Sequence, residues 1–144
     1  MDRAAQSPVL CIVKRSSEEA ERERLSMNRI VRHGVTSRWS DAVVHGGVGY
    51  FVEVPDDPGL DCEGQFRQVL QQVEKRLEQI GSDMQHLLQV VIYLPDPSDL
   101  TCFNEIWDAW VPSGHAPSRA CIHAALAAPG YRVELVITAA LIDA

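Results

Sequence analysis

Two charged residues interrupt apolar segments near the C-terminal end of the chain. Arg119 lies in the segment PSRACIH, and Glu134 follows fifteen residues later within YRVELVIT. An arginine presents a planar fork of N–H donors that matches a carboxylate, and a semi-buried glutamate is suited to proton transfer. The spacing also fits a simpler interpretation, in which Arg119 lies in solvent at a strand end and Glu134 is an ordinary polar interruption.

Other site signatures are missing from the sequence. It contains no GxGxxG, P-loop, HExxH or GxSxG motif, so we expect neither a cofactor nor a catalytic metal. The cysteines lack the short spacing of zinc or redox motifs and are interpreted as structural or free thiols. They are Cys11, Cys62, Cys102 and Cys121. The histidines are scattered, and only His123, within PSRACIH, is of interest as a candidate.

The bulk composition fits one small globular domain. The chain has 144 residues, of which 46% are hydrophobic and 23% are charged. No apolar stretch approaches the roughly 20 residues that span a bilayer, and the polar N-terminus does not resemble a secretory signal. The formal charge of -7 opposes binding to phosphate backbones. We therefore expect a soluble, cytoplasmic protein with no membrane partner and no nucleic acid partner.

The first 26 residues differ from the remainder of the chain. An apolar patch at 8–13 precedes the charged run KRSSEEAERERL, which fits a surface helix capped by Ser16 or Ser17. That run has no apolar stripe with which to pack. We expect residues 1–26 to form a loosely held extension, with an upstream start codon as one hypothesis, and residues 27–144 to form the domain.

Six strands are predicted to position Arg119 and Glu134. Each is a short run of apolar and alternating residues bounded by glycine, proline or charged residues. The predicted strands are 29–32, 41–45, 50–54, 88–94, 119–126 and 131–142. The second and third of them are expected to form a hairpin.

Two amphipathic helices are predicted between the strands. Apolar residues at spacings of three and four indicate a helix that ends at Ile80 with Gly81 as its C-cap. A second helix begins at the candidate cap Ser98 and ends before Pro112. The order of elements predicts an α+β fold, a six-stranded mixed sheet with two helices on one face.

The last two strands are expected to pair around a turn at 127–130. In that register Arg119 and Glu134 share a face but stand about six residues, or roughly 20 Å, apart. A single subunit would not bring them together. The two helices leave one apolar sheet face uncovered, which favours self-association through the sheet and a cleft shared between subunits.

Residues 27–144 resemble the RidA/YjgF family of reactive-intermediate deaminases. The resemblance rests on LEQIG followed by LLQVVIYLPD, on FNEIWDAW, on PSRACIHAAL and on YRVELVITAAL. It implies a chorismate-mutase-like fold and a homotrimer with sheets packed inward and clefts between subunits. It also implies hydrolysis of 2-imino or enamine acids to 2-oxo acids and ammonia, without metal or organic cofactor.

The same resemblance implies roles for individual residues. Arg119 matches the arginine that binds the substrate carboxylate, and Glu134 matches the glutamate that handles water or a proton. Cys121 matches a cysteine whose backbone lines the cleft, Asn104 matches an asparagine of the second helix, and Trp39 lies near an aromatic that closes the pocket. A small core residue and a helix-surface amide stay open as interpretations of Cys121 and Asn104.

One segment departs from the family pattern. Many members have an SGQ-like turn after the third strand, where this chain has YFVEVP at 50–55. Phe51 and Val52 would make the pocket wall bulkier, and Glu53 would add charge, which leaves a divergent subgroup open.

Two other functions are also compatible with the sequence. One is a noncatalytic trimer that binds small carboxylates as a sensor or regulatory module. The other is a ribonuclease or translation inhibitor, an activity linked to the family name. The charge of -7 and the missing basic stripe oppose this last function.

Overall fold

The structure is a computed structural model that describes residues 15–143. The apolar patch at 8–13 and Cys11 lie outside these residues. The described part has an α+β fold, as predicted. Its helices and strands are α1 Ser17–Met27, β1 Val31–His33, β2 Ala42–His45, β3 Val48–Glu53, α2 Cys62–Ile80, β4 Leu87–Tyr93, α3 Leu100–Trp110, β5 Ser118–Ile122 and β6 Glu134–Ala140.

The first helix, α1, lies outside the core. The Ser16 side chain accepts a hydrogen bond from the Glu19 backbone N–H, and the Glu19 side chain accepts one from the Ser16 N–H. This reciprocal cap confirms the predicted helix and shows that Ser16, and not Ser17, is its N-cap. None of the α1 side chains is buried, and the Met27 carbonyl accepts from the Gly46 N–H at 3.0 Å. The domain boundary after residue 26 stays a prediction.

The strands form one mixed sheet in the order β1-β2-β3-β6-β4-β5. β4 and β5 are parallel, with α3 between them in the chain, and the other neighbours are antiparallel. The predicted hairpin of the last two strands is therefore wrong, because β6 lies between β3 and β4 while β5 forms an edge. A central position suits β6, which is apolar on both faces, whereas alternation alone does not identify a strand's neighbour.

The core lies between α2, α3 and one face of the sheet. The Phe66 and Phe103 rings meet edge to face with centroids 5.3 Å apart, which joins the two helices. α2 also approaches β3 closely, since a Cβ on Gly49 would clash with Cδ1 of Ile80. Gly81 ends α2 with a φ of 83°, the left-handed cap that the sequence predicts.

The start of α3 differs from the prediction. Ser98 does not cap the helix but lies in a 3₁₀ turn, Pro97–Asp99, that Asp96 caps. The Asp96 carboxylate accepts from the Ser98 hydroxyl at 2.7 Å and from its N–H at 2.9 Å. These hydrogen bonds, the hydroxyl first, hold the pKa of Asp96 below its usual value. Ser98 is thus a donor to the cap and not the cap itself.

The opposite face of the sheet exposes apolar side chains. Tyr50 and Val52 on β3, Ile122 on β5 and Val136 on β6 are each between 37% and 50% exposed. The register pairs Val52 with Val136, so that two of these side chains are neighbours. Within one chain, the predicted uncovered apolar face is confirmed.

Candidate functional site

Arg119 projects from β5 toward α3. It pairs with the core residue Val90, so its side chain lies on the buried face of the sheet. The guanidinium carbon lies 5.2 Å from the ring centre of Trp107 and 5.8 Å from that of Phe103. One N–H donates to Oδ1 of Asn104 at 2.5 Å. The aromatic rings stabilise the cation while leaving its charge uncompensated.

The guanidinium of Arg119 retains unused donor capacity. A guanidinium carries five N–H donors. Within residues 15–143, Arg119 forms no ion pair, and its side chain forms one hydrogen bond, to Asn104. A half-buried arginine with an aromatic wall and no acidic partner is suited to a ligand carboxylate, which would supply the missing charge.

Two of the other predicted site residues, Asn104 and Cys121, lie beside Arg119. Asn104 holds the guanidinium from α3 through its amide oxygen, a neutral acceptor that does not neutralise the cation. Cys121 pairs with Ile92, lies on the same face two residues farther along β5, and packs half-buried against the core. The structure thus assembles Arg119, Asn104 and Cys121 within one chain.

Glu134 lies on the other face of the sheet. It pairs with Tyr93, three positions along β4 from the partner of Arg119. Because side chains alternate along a strand, this odd separation puts Glu134 and Arg119 on opposite faces, and the predicted common face is wrong. Three residues along the strand and two strand spacings across it separate the two Cα atoms by about 14 Å.

Glu134 lines a small, mostly apolar cavity. The cavity has a volume of about 200 Å³ and lies where the end of β3 meets the connection at 123–133. Its other walls are Val54, Leu126, Ala127, Ala128 and Tyr131. A carboxylate in such surroundings can accept hydrogen bonds from a water molecule. The sequence did not reveal these walls, because the course of the connection depends on where β6 inserts.

Trp39 lies at the far edge of the sheet. It belongs to the loop between β1 and β2, and it is 60% exposed. β1 and β5 are the two edges of the sheet, five strand spacings or about 24 Å apart. Trp39 therefore does not reach Arg119 of its own chain, and a role in closing that pocket requires a second copy.

The segment at 50–55 places its unusual residues in different surroundings. Phe51 is a core residue with 4% exposure, whereas Val52 projects from the open face. Glu53 is buried and accepts from Nε of Arg76 at 2.9 Å. The expected extra bulk is therefore limited to Val52, and Arg76 compensates the expected extra charge.

The cysteines and histidines of residues 15–143 do not form a metal site. No group of three or more His, Cys, Asp or Glu side chains there is arranged to hold a metal ion. Cys62 and Cys102, from the first turns of α2 and α3, are neighbours; burial, followed by the proximity of Cys62, raises the pKa of Cys102. His123 Nδ1 contacts the Leu94 carbonyl at 3.1 Å. In the same residues no helix combines the length and apolar character needed to cross a bilayer.

Known proteins are similar to this chain in sequence. A family model described as Endoribonuclease L-PSP matches residues 30–141. RutC family protein YoaB of Escherichia coli K12 is 40% identical over 112 residues, which cover 78% of this chain and 98% of the relative. The chain belongs to the RidA/YjgF family.

Solved structures of similar proteins support the same assignment. NMB1025, a member of the YjgF protein family from Neisseria meningitidis, superposes with a TM-score of 0.78 and 42% identity, covering 82% of this chain and 99% of that one. An uncharacterized protein from Pseudomonas aeruginosa gives a TM-score of 0.77 and 38% identity, covering 79% and 100%. The part that the Endoribonuclease L-PSP model matches begins after α1.

Proposed function

We propose that this RidA/YjgF protein hydrolyses 2-imino or enamine acids to 2-oxo acids and ammonia, without a cofactor and as a homotrimer. The observation that carries the proposal is the environment of the Arg119 side chain. Its guanidinium is half-buried, rests on two aromatic rings and forms no ion pair within residues 15–143. A small acid with a planar carboxylate is the ligand class that this geometry favours.

Arg119 would bind the substrate by its carboxylate. Two parallel N–H···O bonds fix both the position and the plane of a carboxylate, and the conjugated C=N carbon follows that plane. Cys121, two residues farther along the edge strand β5, would offer backbone groups next to the bound substrate. Fixing the imine in this way lowers the entropic part of the barrier to water attack.

Glu134 would assist the attack of water. The carboxylate takes a proton as the water oxygen bonds to the C=N carbon, and the nitrogen gains a proton to give a tetrahedral amino alcohol. Breakdown of this intermediate releases ammonia and leaves the 2-oxo acid. An enamine first gains a proton at carbon and then follows the same path. Because the imine is intrinsically labile, positioning and modest acid–base help are sufficient.

A complete site would need more than one subunit. Arg119 and Glu134 lie on opposite faces of the sheet, about 14 Å apart, and the edge strand β1, which precedes the loop of Trp39, lies about 24 Å from β5. Association through the exposed apolar face, which includes Val52 and Val136, would bring a second copy to Glu134, and β5 with Arg119 is an edge strand that such a copy could also reach. Sedimentation velocity tests this directly: we expect a trimer, and a monomer at assay concentration would contradict it.

A coupled assay with an Arg119 variant tests the activity. An amino-acid oxidase or a pyridoxal-phosphate dehydratase supplies the imine, and its loss is followed with and without the protein. Arg119→Ala should reduce the acceleration by about a hundredfold or more while the trimer persists. Arg67→Ala is the control, since the ion pair of Arg67 with Glu63, at 2.9 Å, is exposed on the surface of α2. Full activity of Arg119→Ala would refute the assignment.

One alternative is a noncatalytic module that binds small carboxylates. It is favoured by the observation that Arg119, Asn104 and the aromatic rings assemble within one chain while Glu134 lies elsewhere. Such a module would bind 2-oxo acids and be indifferent to Glu134→Gln. A loss of imine hydrolysis in Glu134→Gln, with unchanged binding of 2-oxobutanoate, would exclude this alternative.

A further alternative is an endoribonuclease, the activity by which the matching family model is described. The net charge of -7 opposes it, because RNA binding depends strongly on basic side chains that displace counterions. Single-stranded RNA should show no binding even at low salt. Cleavage of RNA that Arg119→Ala abolishes would instead favour the nuclease.

A further inference from the structure

A buried glutamine ties the connection between β5 and β6 to α2. Gln65 is 0% exposed. Its side-chain nitrogen donates its two hydrogens to the carbonyls of Pro58, Leu60 and Gly130, at N···O distances of 3.1, 3.0 and 2.9 Å, with one hydrogen shared between two of them. Its oxygen accepts from the backbone N–H of Arg132 at 2.9 Å. One side chain thus fixes the backbone on both sides of residue 131.

A bidentate ion pair fixes the same connection to the start of α3. Arg132 donates through Nε and through a terminal nitrogen to the two carboxylate oxygens of Asp99, both at 2.8 Å. Asp99 is only 4% exposed and directly precedes α3. The hydrogen bond between Arg132 and Asp99 raises the pKa of Arg132, as expected for a bidentate pair of a guanidinium and a carboxylate.

The cluster formed by Gln65, Asp99 and Arg132 lies between the two halves of the candidate site. Arg132 is two residues before Glu134, and its neighbour Tyr131 lines the cavity of Glu134. Asp99 begins the helix that carries the hydrogen-bond partner of Arg119. The two halves are on opposite sheet faces, so this cluster connects them outside the sheet.

We propose that Gln65, Asp99 and Arg132 are positioning residues for imine hydrolysis. They fix the backbone directly before β6 in one position, so that the Glu134 carboxylate keeps a single place in the cavity. This inference rests on the proposed function. Phe103 and Trp107 pack α3 into the core and hold the surroundings of Arg119, whereas the segment before Glu134 depends on the cluster. Weakening the cluster should therefore lower kcat and leave KM nearly unchanged.

Two variants weaken the cluster without leaving a buried charge unpaired. Arg132→Lys keeps the charge but not the fork. The double variant Asp99→Asn/Arg132→Gln replaces the ion pair by neutral amides, whereas Arg132→Met alone would leave the Asp99 carboxylate buried without a partner. Arg67→Lys is the matched control, because its pair with Glu63 is exposed on the surface of α2.

The experiment measures kcat and KM for imine hydrolysis, together with the oligomeric state and the thermal transition of each protein. We expect kcat to fall roughly tenfold in Arg132→Lys and up to about a hundredfold in the double variant, with KM within about twofold. Arg67→Lys should match the wild type.

Two results would each overturn the positioning role while the proposed function stands. One is a kcat within about twofold of the wild type in both folded variants. The other is a loss of activity that is fully explained by a loss of folded trimer. If the double variant does not fold, the kcat of Arg132→Lys alone decides whether the cluster has a positioning role. A wild type that does not accelerate imine hydrolysis would overturn the proposed function and this inference together.

Discussion

Two half-buried arginines near the C-terminal end have opposite surroundings. Arg132 donates twice to a buried carboxylate, whereas Arg119 donates to a neutral amide and stacks on aromatic rings. A guanidinium that already has its carboxylate serves the fold. One that is partly desolvated without an acid retains charge and donors for a ligand. The contrast separates a structural role from a binding role in two residues of the same type.

The largest expected difference between the two arginines is in stability. Arg132→Met leaves the Asp99 carboxylate buried and unpaired, which should cost about 2–4 kcal/mol of the free energy of unfolding, since Arg132 is partly exposed. Arg119→Met removes no ion pair and should cost less than about 1 kcal/mol. Urea denaturation of both variants measures the two values. Equal losses would show that the contrast has no energetic meaning.

Asn104→Asp should give Arg119 a carboxylate partner within the chain, as Asp99 is for Arg132. The substitution puts a carboxylate at the end of an existing hydrogen bond of 2.5 Å, where it competes with a ligand for the guanidinium. Binding of 2-oxobutanoate should weaken about tenfold to a hundredfold. Isothermal titration calorimetry measures this, with Asp108→Asn on the exposed side of α3 as the control. Unchanged affinity would mean that the ligand binds elsewhere.

The aromatic wall should have a smaller effect on binding. Trp107→Leu removes the ring nearest the Arg119 guanidinium and should weaken 2-oxobutanoate binding about two- to fivefold, the scale of a cation–π contact. Trp110→Leu is the control, because that ring packs on Trp107 at 5.4 Å without contacting the guanidinium. Equal effects of the two substitutions would assign the loss to helix packing.

The smallest expected effect is on acid stability, at the Arg132 end of the molecule. Asp96 has a lowered pKa in the fold, so it stabilises the protein above its unfolded pKa of about 3.9, and this contribution is lost as the pH falls through the lower folded value. Asp96→Asn should therefore flatten the dependence of stability on pH below about pH 4. Urea denaturation at a series of acidic pH values measures the slope, and an unchanged slope would contradict the prediction.

Features set by local chemistry could be predicted from the sequence. The spacing of apolar residues in α2, the glycine that ends it and the serine that caps α1 each act within a few residues. The Ser98 cap was predicted wrongly, because Asp96 is a better acceptor and takes Ser98 as its donor. Local pattern shows which residues suit a role without showing which of two neighbours has it.

Features that depend on strand order could not be predicted in the same way. The face of Glu134 follows from the insertion of β6 between β3 and β4, which no local alternation specifies. The pair of Arg132 with Asp99 joins residues 33 apart in the sequence. Gln65 did carry a usable indication: it lies four residues before Val69, a polar residue within the buried stripe of α2. Such a residue requires internal hydrogen-bond partners.

The binding role of Arg119 is tested most directly by comparing 2-oxobutanoate with its neutral amide as ligands of the wild type and of Arg119→Met. Calorimetry should show that the wild type binds the acid about a hundredfold more tightly than the amide. In Arg119→Met the two ligands should differ by less than about threefold. If Arg119→Met still prefers the acid as strongly as the wild type does, Arg119 is not the residue that binds the substrate carboxylate.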